Sequence, residues 1–590
     1  MDLKNTPSNV KLLHTVYRAA FILSLLGVFA FFIDFGYEQS QHIQVALNVF
    51  YFIILFVGIG VTCVRYFAEH SKRSRHVKLF DFAGIAITVY IIAIHFLGQE
   101  AHKNLSFFYN DNWVKIAILL TFIREFAEQK VSYKKSALNP AQLFIASFLG
   151  IILIGALLLM LPNATYEGIS FLDALFTSTS AVCVTGLIVV DTGSYFTQFG
   201  QNIIVFLIQL GGLGILTFAS YFSYFFKGVS SFENQVILSD MNNSKKIGEV
   251  FSTLKRILAI TFSIEIIGAL LIFLSLKIKV LPDLGDRIAF SIFHSVSAFC
   301  NAGFSTLSNG IYDINYRYNY FLQLTLIALF VLGGLGFPIV INILRYLKYK
   351  IIKPILVRDH EIAYKPWLLS LSSRITLITT SSLLVIGTIL VYLNEYSNTL
   401  AEHNGVGKVV TAIFGAATPR TAGFNTVDMN QLHFSTLMLI FLLMWVGASP
   451  ASTGGGIKTS TFAIATMNFF SLAKGKTRIE VYRREIADIS VRRAFAIISL
   501  SLVVIGFAVI AISSFDSEKT LLSIAFECFS AYSTVGLSLG ITSSLSAASK
   551  GVIIAVMFVG RVSMLTLMIA LFRKVKQQAY RYPTEEILIN

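Results

Sequence analysis

The sequence predicts an all-α membrane protein: four pseudo-repeated helix–half-helix–helix units around a central pore, preceded by about four extra N-terminal transmembrane helices. Three observations carry that expectation. Charge is too scarce to solvate a surface in water, apolar runs of bilayer length recur along the chain, and one glycine-centred segment appears four times at nearly constant spacing.

Of 590 residues, 55% are hydrophobic and 13% charged. A soluble domain carries about 25% charged residues, so lipid must solvate much of this surface. Roughly 20 apolar residues cross a bilayer core as a helix. Such runs cover Tyr17–Ile33, Val45–Val64 and Leu79–Leu97, with the shorter Trp113–Phe126 behind them. Further runs cover Leu143–Leu161, Ile203–Phe225, Ile257–Leu276, Phe321–Leu344, Ile375–Leu393, Leu437–Val446 with its continuation, Ala494–Ile512 and Val552–Phe572. The net charge of +15 gathers in alternate loops, at 72–78, 130–135, 245–256, 345–353 and 478–493, and the opposite loops are acidic. That alternation is the positive-inside pattern of a chain in contact with membrane lipids, not a nucleic-acid surface. It puts both termini in the cytoplasm and counts Trp113–Phe126 as a fourth N-terminal span. The cysteines, Cys63, Cys183, Cys300 and Cys528, have no paired spacing, so neither a metal-ligand set nor a disulfide framework is expected.

The repeat lies in Phe176–Leu187, Phe293–Phe304, Ile413–Phe424 and Phe526–Leu537, which align without gaps. Their shared glycines, Gly186, Gly303, Gly423 and Gly536, lie 117, 120 and 113 residues apart. Each segment sits between two long apolar runs. The stretch before each glycine is too short to span and too apolar for a free loop, so it reads as a half-helix re-entering the membrane. Non-helical backbone at membrane depth survives only where it is buried or lines water, so four such turns point to one shared axis. The chain divides accordingly into an N-terminal part, 1–135, and units at 136–230, 231–350, 351–475 and 476–590.

A dehydrated cation needs oxygen ligands, and backbone carbonyls supply them without fixed charge. Glycine permits the unusual backbone angles this requires. The candidate ion-binding triplets are Val184-Thr185-Gly186, Asn301-Ala302-Gly303, Thr421-Ala422-Gly423 and Thr534-Val535-Gly536. Their side chains are uncharged, as expected where the backbone coordinates. The half-helices aim their partly negative C-terminal ends at the same place. Arg420 is the one charge in these loops, and it is read as structural, bonding carbonyls behind the filter.

These residues resemble the Trk/Ktr/HKT superfamily of potassium transporters, specifically the bacterial Trk/Ktr membrane subunits. The resemblance rests on the four-fold filter, on Arg420-Thr421-Ala422-Gly423-Phe424-Asn425-Thr426 and on Ser452-Thr453-Gly454-Gly455-Gly456-Ile457-Lys458, and it covers about Pro140 to Arg573. It implies M1–P–M2 units, K+ uptake across the bacterial inner (plasma) membrane, and a homodimer with one pore per subunit. Glycine at all four filter positions implies potassium selectivity. It also implies docking on a cytosolic ring of nucleotide-binding RCK subunits of the TrkA/KtrA kind. The basic stretch Lys474–Arg493 is either that docking surface or an anchor at lipid headgroups. No cofactor is implied beyond the transported K+, and passive flux, Na+ coupling and H+ coupling all stay open.

Gly447, Pro450, Gly454, Gly455 and Gly456 interrupt the third return span. Proline and glycine break helical hydrogen bonding, so this stretch reads as a gate below the filter. Lys458 closes it. Arg561, inside an apolar run, is expected to hold it shut, because an intramembrane arginine needs a cavity or a partner. Here Ala448, Pro450 and Ala451 stand where the family more often has small glycine-type residues. Glu265 and His294 read as satisfied polar groups inside the membrane. Two other classes are disfavoured. A membrane enzyme would cluster acids or histidines at the membrane face. A rocking transporter would show inverted repeats, whereas these run parallel.

Overall fold

The computed structural model describes residues 7–68, 75–97, 112–128, 140–214, 250–352, 368–563 and 567–568. Lys72, Arg73, the cluster at 130–135, Lys245, Lys246, Lys353 and the far ends of the runs Ile203–Phe225 and Val552–Phe572 lie outside the described residues. Four helices come first: α1 Pro7–Gly36, α2 Gln41–Ala68, α3 Arg75–Leu97 and α4 Asn112–Glu128. They pack as a bundle around Tyr51, Leu55, Ile91 and Ile118. Buried ion pairs cross it, Arg65 to Glu125, Arg124 to Asp81, and Lys115 to Asp34 at 2.9 Å. Two charges out of water hold only as a matched pair, so these fix which helix faces meet.

The described residues from 140 onward repeat one pattern: a long helix, a short buried helix, a return helix. The long helices are α5 Pro140–Leu159, α8 Val250–Ser275, α12 Leu371–Glu395 and α16 Asp488–Phe515. The short ones are α6 Phe171–Val182, α9 Leu284–Phe299, α13 Gly405–Ala417 and α17 Leu521–Ser533. The return helices are α7 Gln198–Leu213, α10 Tyr320–Gly334 with α11 Phe337–Leu347, α14 Phe434–Trp445 with α15 Thr459–Ala473, and α18 Ala547–Val562. Side chains cap three of the short helices. Ser170, Asp283 and Thr520 accept from the amides of Asp173 (3.2 Å), Asp286 (3.0 Å) and Ser523 (3.3 Å), which satisfies N–H groups that the helix leaves orphaned. Gly211, Gly333 and Gly560 let the return helices touch the carbonyls of Val182, Phe299 and Tyr532. A Cβ at any of these three would push the short helix off its seat.

One expectation needs correction. Phe321–Leu344 reads as a single apolar span, yet α10 and α11 meet at 106°. Gly336, at φ +84°, makes the corner. Hydropathy registers the side chains around such a corner and not the backbone angle within it. Return helices α7 and α18 likewise end at Gly214 (φ +77°) and Ser563 (φ +74°). Among the described residues, five helices are long and apolar enough to cross a membrane, or six if the bent pair is one span.

Candidate functional site

The short helices end where their chain turns left-handed. In α6 the amides of Val184 and Thr185 return to the carbonyls of Ala181 (3.1 Å) and Ser180 (2.8 Å). In α9, Asn301 and Ala302 return to Ala298 (3.0 Å) and Ser297 (2.7 Å), and in α17, Thr534 and Val535 return to Ala531 (3.1 Å) and Ser530 (2.9 Å). These are Schellman caps, whose left-handed position is usually glycine. Here it is Val184 (φ +57°), Asn301 (φ +60°) and Thr534 (φ +50°), with Thr421 (φ +76°) at the equivalent place in the third turn. Non-glycine residues there cost about 1–3 kcal/mol each. That strain was not legible in the sequence, because valine and threonine carry no left-handed signal and only asparagine is enriched in that region.

Two residues further along, the shared glycines complete a ring. A Cβ on Gly186 would strike the Ala302 carbonyl oxygen, one on Gly303 that of Ala422, one on Gly423 that of Val535, and one on Gly536 that of Thr185. Each turn therefore abuts the next, and the fourth abuts the first. The last turns of four helices meet there, bringing four partial negative charges to one axis. All four glycines open on a single cavity of about 580 Å³, lined also by Ser305, Ser538, Asp191 and Asp428. Among the described residues lining it are two carboxylates and no lysine or arginine. Such a mouth concentrates cations.

Arg420 lies behind the ring. Its guanidinium donates to the Thr380 carbonyl (3.3 Å) and hydroxyl (3.4 Å) on α12. Arg420→Gln is expected to lower the stability of the detergent-solubilised protein by about 1.5–3 kcal/mol, as loss of a charged hydrogen bond does. A thermal melt checks this, and an unchanged melt would deny Arg420 that anchoring role.

The segment between α14 and α15 packs beneath the ring, with Gly447–Ser449 and Thr453–Gly455 buried. Its Ser449 amide donates to the Gly334 carbonyl (2.9 Å), Phe337 donates to the Ala451 carbonyl (3.2 Å), and Gly455 donates to Thr534 Oγ1 (2.9 Å). Pro450 and Ala451 rest against the corner at Gly336. Ala451 itself holds φ +55°, a strained value for alanine. Lys458 Nζ donates to the carbonyls of Gly454 (2.7 Å) and Gly455 (3.3 Å). Arg561 donates to the carbonyls of Thr453 and Gly211, tying this segment to α7. The Asn301 amide, oriented to suit its neighbours, donates to the Phe330 (3.1 Å) and Phe299 (3.2 Å) carbonyls and accepts from Thr421 Oγ1 (3.1 Å).

Of the other polar groups singled out, Glu265 accepts from Gln209 Nε2 at 3.2 Å and from Cys300 Sγ at 3.9 Å, the residue just before the Asn301 turn. Asp516, in the loop after α16, accepts from the Ser546 amide (3.1 Å) and hydroxyl (3.0 Å) at the start of α18. Burial pushes its pKa up, but hydrogen bonds from Ser549 and Ser546 and the nearby Lys519 charge outweigh this and hold it below the usual carboxylate value. Its stabilisation is therefore complete above the unfolded value of about 3.9 and is lost as pH falls through the lower folded value. Amide exchange in 516–549 is expected to stay level from neutral pH down to about 4, after correction for intrinsic rates, and to rise below that. In Asp516→Asn this acid-dependent rise should vanish.

A family model described as TrkH, cation transport protein, matches residues 104–581. The Ktr system potassium uptake protein B of Bacillus subtilis is 36% identical over 453 residues, covering 76% of this chain and 96% of that protein. The potassium/sodium uptake protein NtpJ of Enterococcus hirae is 36% identical over 465 residues, covering 77% of this chain and 98% of that protein. The crystal structure of the potassium transporter TrkH from Vibrio parahaemolyticus shares the fold, with a TM-score of 0.60 at 17% identity over 85% of this chain and 99% of that one. With four-fifths of its length matched, this chain belongs to the TrkH family of cation transport proteins, which are membrane transporters and not enzymes.

Proposed function

We propose that this chain takes up potassium across a bacterial plasma membrane through a filter built from Val184–Gly186, Asn301–Gly303, Thr421–Gly423 and Thr534–Gly536. The closed ring of four glycine turns opening on one acidic-mouthed cavity carries the reading. Four M1–P–M2 units surround that ring, and α1–α4 form an additional transmembrane module ahead of them, with both termini cytoplasmic. Two 36%-identical relatives named as potassium or potassium/sodium uptake proteins support the choice of ion. The segment from Gly447 to Lys458 is the gate, with Arg561 as its latch. The working assembly is a homodimer on a cytosolic RCK ring, for which Lys474–Arg493 is the docking candidate. No cofactor is needed.

The test is rescue of a potassium-uptake-deficient bacterium at low external potassium, with and without a co-expressed RCK subunit. Growth restored by the intact chain and lost in Gly186→Asp is the expected result. No rescue by well-expressed, membrane-inserted protein in either condition would overturn the reading. Varying the Na+ and H+ gradients in proteoliposomes decides whether either ion is coupled.

A further inference from the structure

We infer that Glu527 and His294 are positioning residues for ion discrimination, each pinning the outer turn of one filter segment through a serine. This rests on the filter reading above and adds to it. Glu527 and His294 occupy equivalent positions, nine residues before Gly536 and Gly303. Two residues after each glycine stands a serine, Ser538 and Ser305. Both side chains at the earlier position are buried, His294 at 0% and Glu527 at 1% exposure, and a buried polar group must find partners.

The two arrangements share the same pair of bonds at the serine. Ser305 Oγ accepts from the Leu307 amide at 3.1 Å, and Ser538 Oγ accepts from the Gly540 amide at 2.8 Å. Each serine's proton is then free to point back into the protein. Ser538 donates it to Glu527, whose other oxygen accepts from Thr542 Oγ1 at 3.0 Å. His294 Nδ1 lies 2.9 Å from the Phe290 carbonyl. A carbonyl only accepts, so Nδ1 carries the hydrogen and Nε2 is left as an acceptor. Ser305 Oγ donates to that Nε2 at 3.0 Å. A carboxylate and a neutral imidazole thus do the same work.

Position gives the pair its consequence. Around the ring Gly303 touches Gly186 and Gly423, and Gly536 abuts Gly186 and the Val535 carbonyl reaches Gly423, so the clamped turns face each other across the axis. The other two units have Thr177 and Phe414 at the earlier position, with Ile188 and Asn425 at the later one. Ser305 and Ser538 line the outer cavity beside the glycines. A serine released from its clamp lets the glycine two residues away drift, and a preorganised site loses discrimination when its donors or carbonyls loosen.

The test uses the full chain in proteoliposomes and reads the potassium-to-sodium permeability ratio. Ser538→Ala and Ser305→Ala each remove one hydroxyl, and each is expected to lower the ratio about fivefold, the worth of one ordinary hydrogen bond. Glu527→Gln keeps an accepting oxygen and should hold most of the ratio that Glu527→Leu loses. The double variant Glu527→Leu/Ser538→Ala should fall no further than its worse single variant, because the two act through one bond. Unchanged ratios in both serine variants would overturn the inference, as would a fall in thermal stability alone. Gly423→Ser runs beside them as a control. If it destroys discrimination while the serine variants do not, the clamp fails and the filter stands. If it leaves discrimination intact, the filter reading itself has failed.

Discussion

Gly423→Ala is expected to lower the potassium-to-sodium permeability ratio at least about thirtyfold, a figure equivalent to about 2 kcal/mol. Gly423 holds φ +77°, where an L-residue costs roughly 1–2 kcal/mol. Its new methyl would also strike the Val535 carbonyl oxygen, with the Gly303 backbone 3.2 Å away on another side. Overpacking of this kind typically costs about 1–3 kcal/mol more. Nothing flexible can yield, because every neighbour is backbone belonging to another turn of the ring. The turn relieves itself by rotating or by pushing Val535 outward, and either movement withdraws a carbonyl from the axis. Size discrimination between two monovalent ions depends on those oxygens keeping their places. The measurement is the bi-ionic ratio in proteoliposomes, with a thermal melt to establish folding. A folded Gly423→Ala protein that still discriminates would mean that ions do not pass this ring.

Arg561→Ala is expected to raise ion flux and blunt its regulation. The guanidinium joins two carbonyls on different elements, Thr453 beneath the ring and Gly211 on α7. The segment between α14 and α15 also holds through neutral bonds, such as Gly455 to Thr534, but Arg561 adds a charged tie between that segment and a rigid helix. A charged hydrogen bond contributes about 1.5–3 kcal/mol. Losing even one at the low end shifts an open–closed balance about tenfold towards open, provided the bond exists only in the closed form. Arg561→Lys keeps the charge without the two-pronged geometry and should fall between. Stopped-flow flux in liposomes with the regulatory subunit present and absent separates these outcomes. Equal flux and equal regulation in Arg561→Ala would remove the latch from the mechanism.

The ring of glycines was legible because it recurs. Gly186, Gly303, Gly423 and Gly536 sit in segments that align without gaps, and recurrence at fixed spacing marks a structural unit. The interrupted third return span was legible for another reason, since Pro450 and a run of glycines cannot continue a helix. The corner at Gly336 escaped notice because an apolar run on both sides of a bend has the hydropathy of a straight one. Glu527 escaped too. It stands alone in an apolar segment, and its partners Ser538 and Thr542 lie 11 and 15 residues away, a spacing that matches no secondary-structure period. Asp191 and Asp428 were visible as loop acids, but nothing in their neighbourhoods tells that they share one cavity.

What the order of residues determined on its own is the class of solvent, the number of units and the place of each glycine turn. Those properties follow from local composition and repetition, which the chain carries however it is folded. What only the tertiary structure decided is which turn touches which: that Gly536 closes back upon Gly186, that Arg561 reaches Thr453, and that Glu527 and His294 each hold a serine at the cavity mouth. Arg561 and Gly211, for example, meet across 350 positions of sequence. Such contacts arise from close packing of whole helices, whose geometry no single stretch of sequence contains.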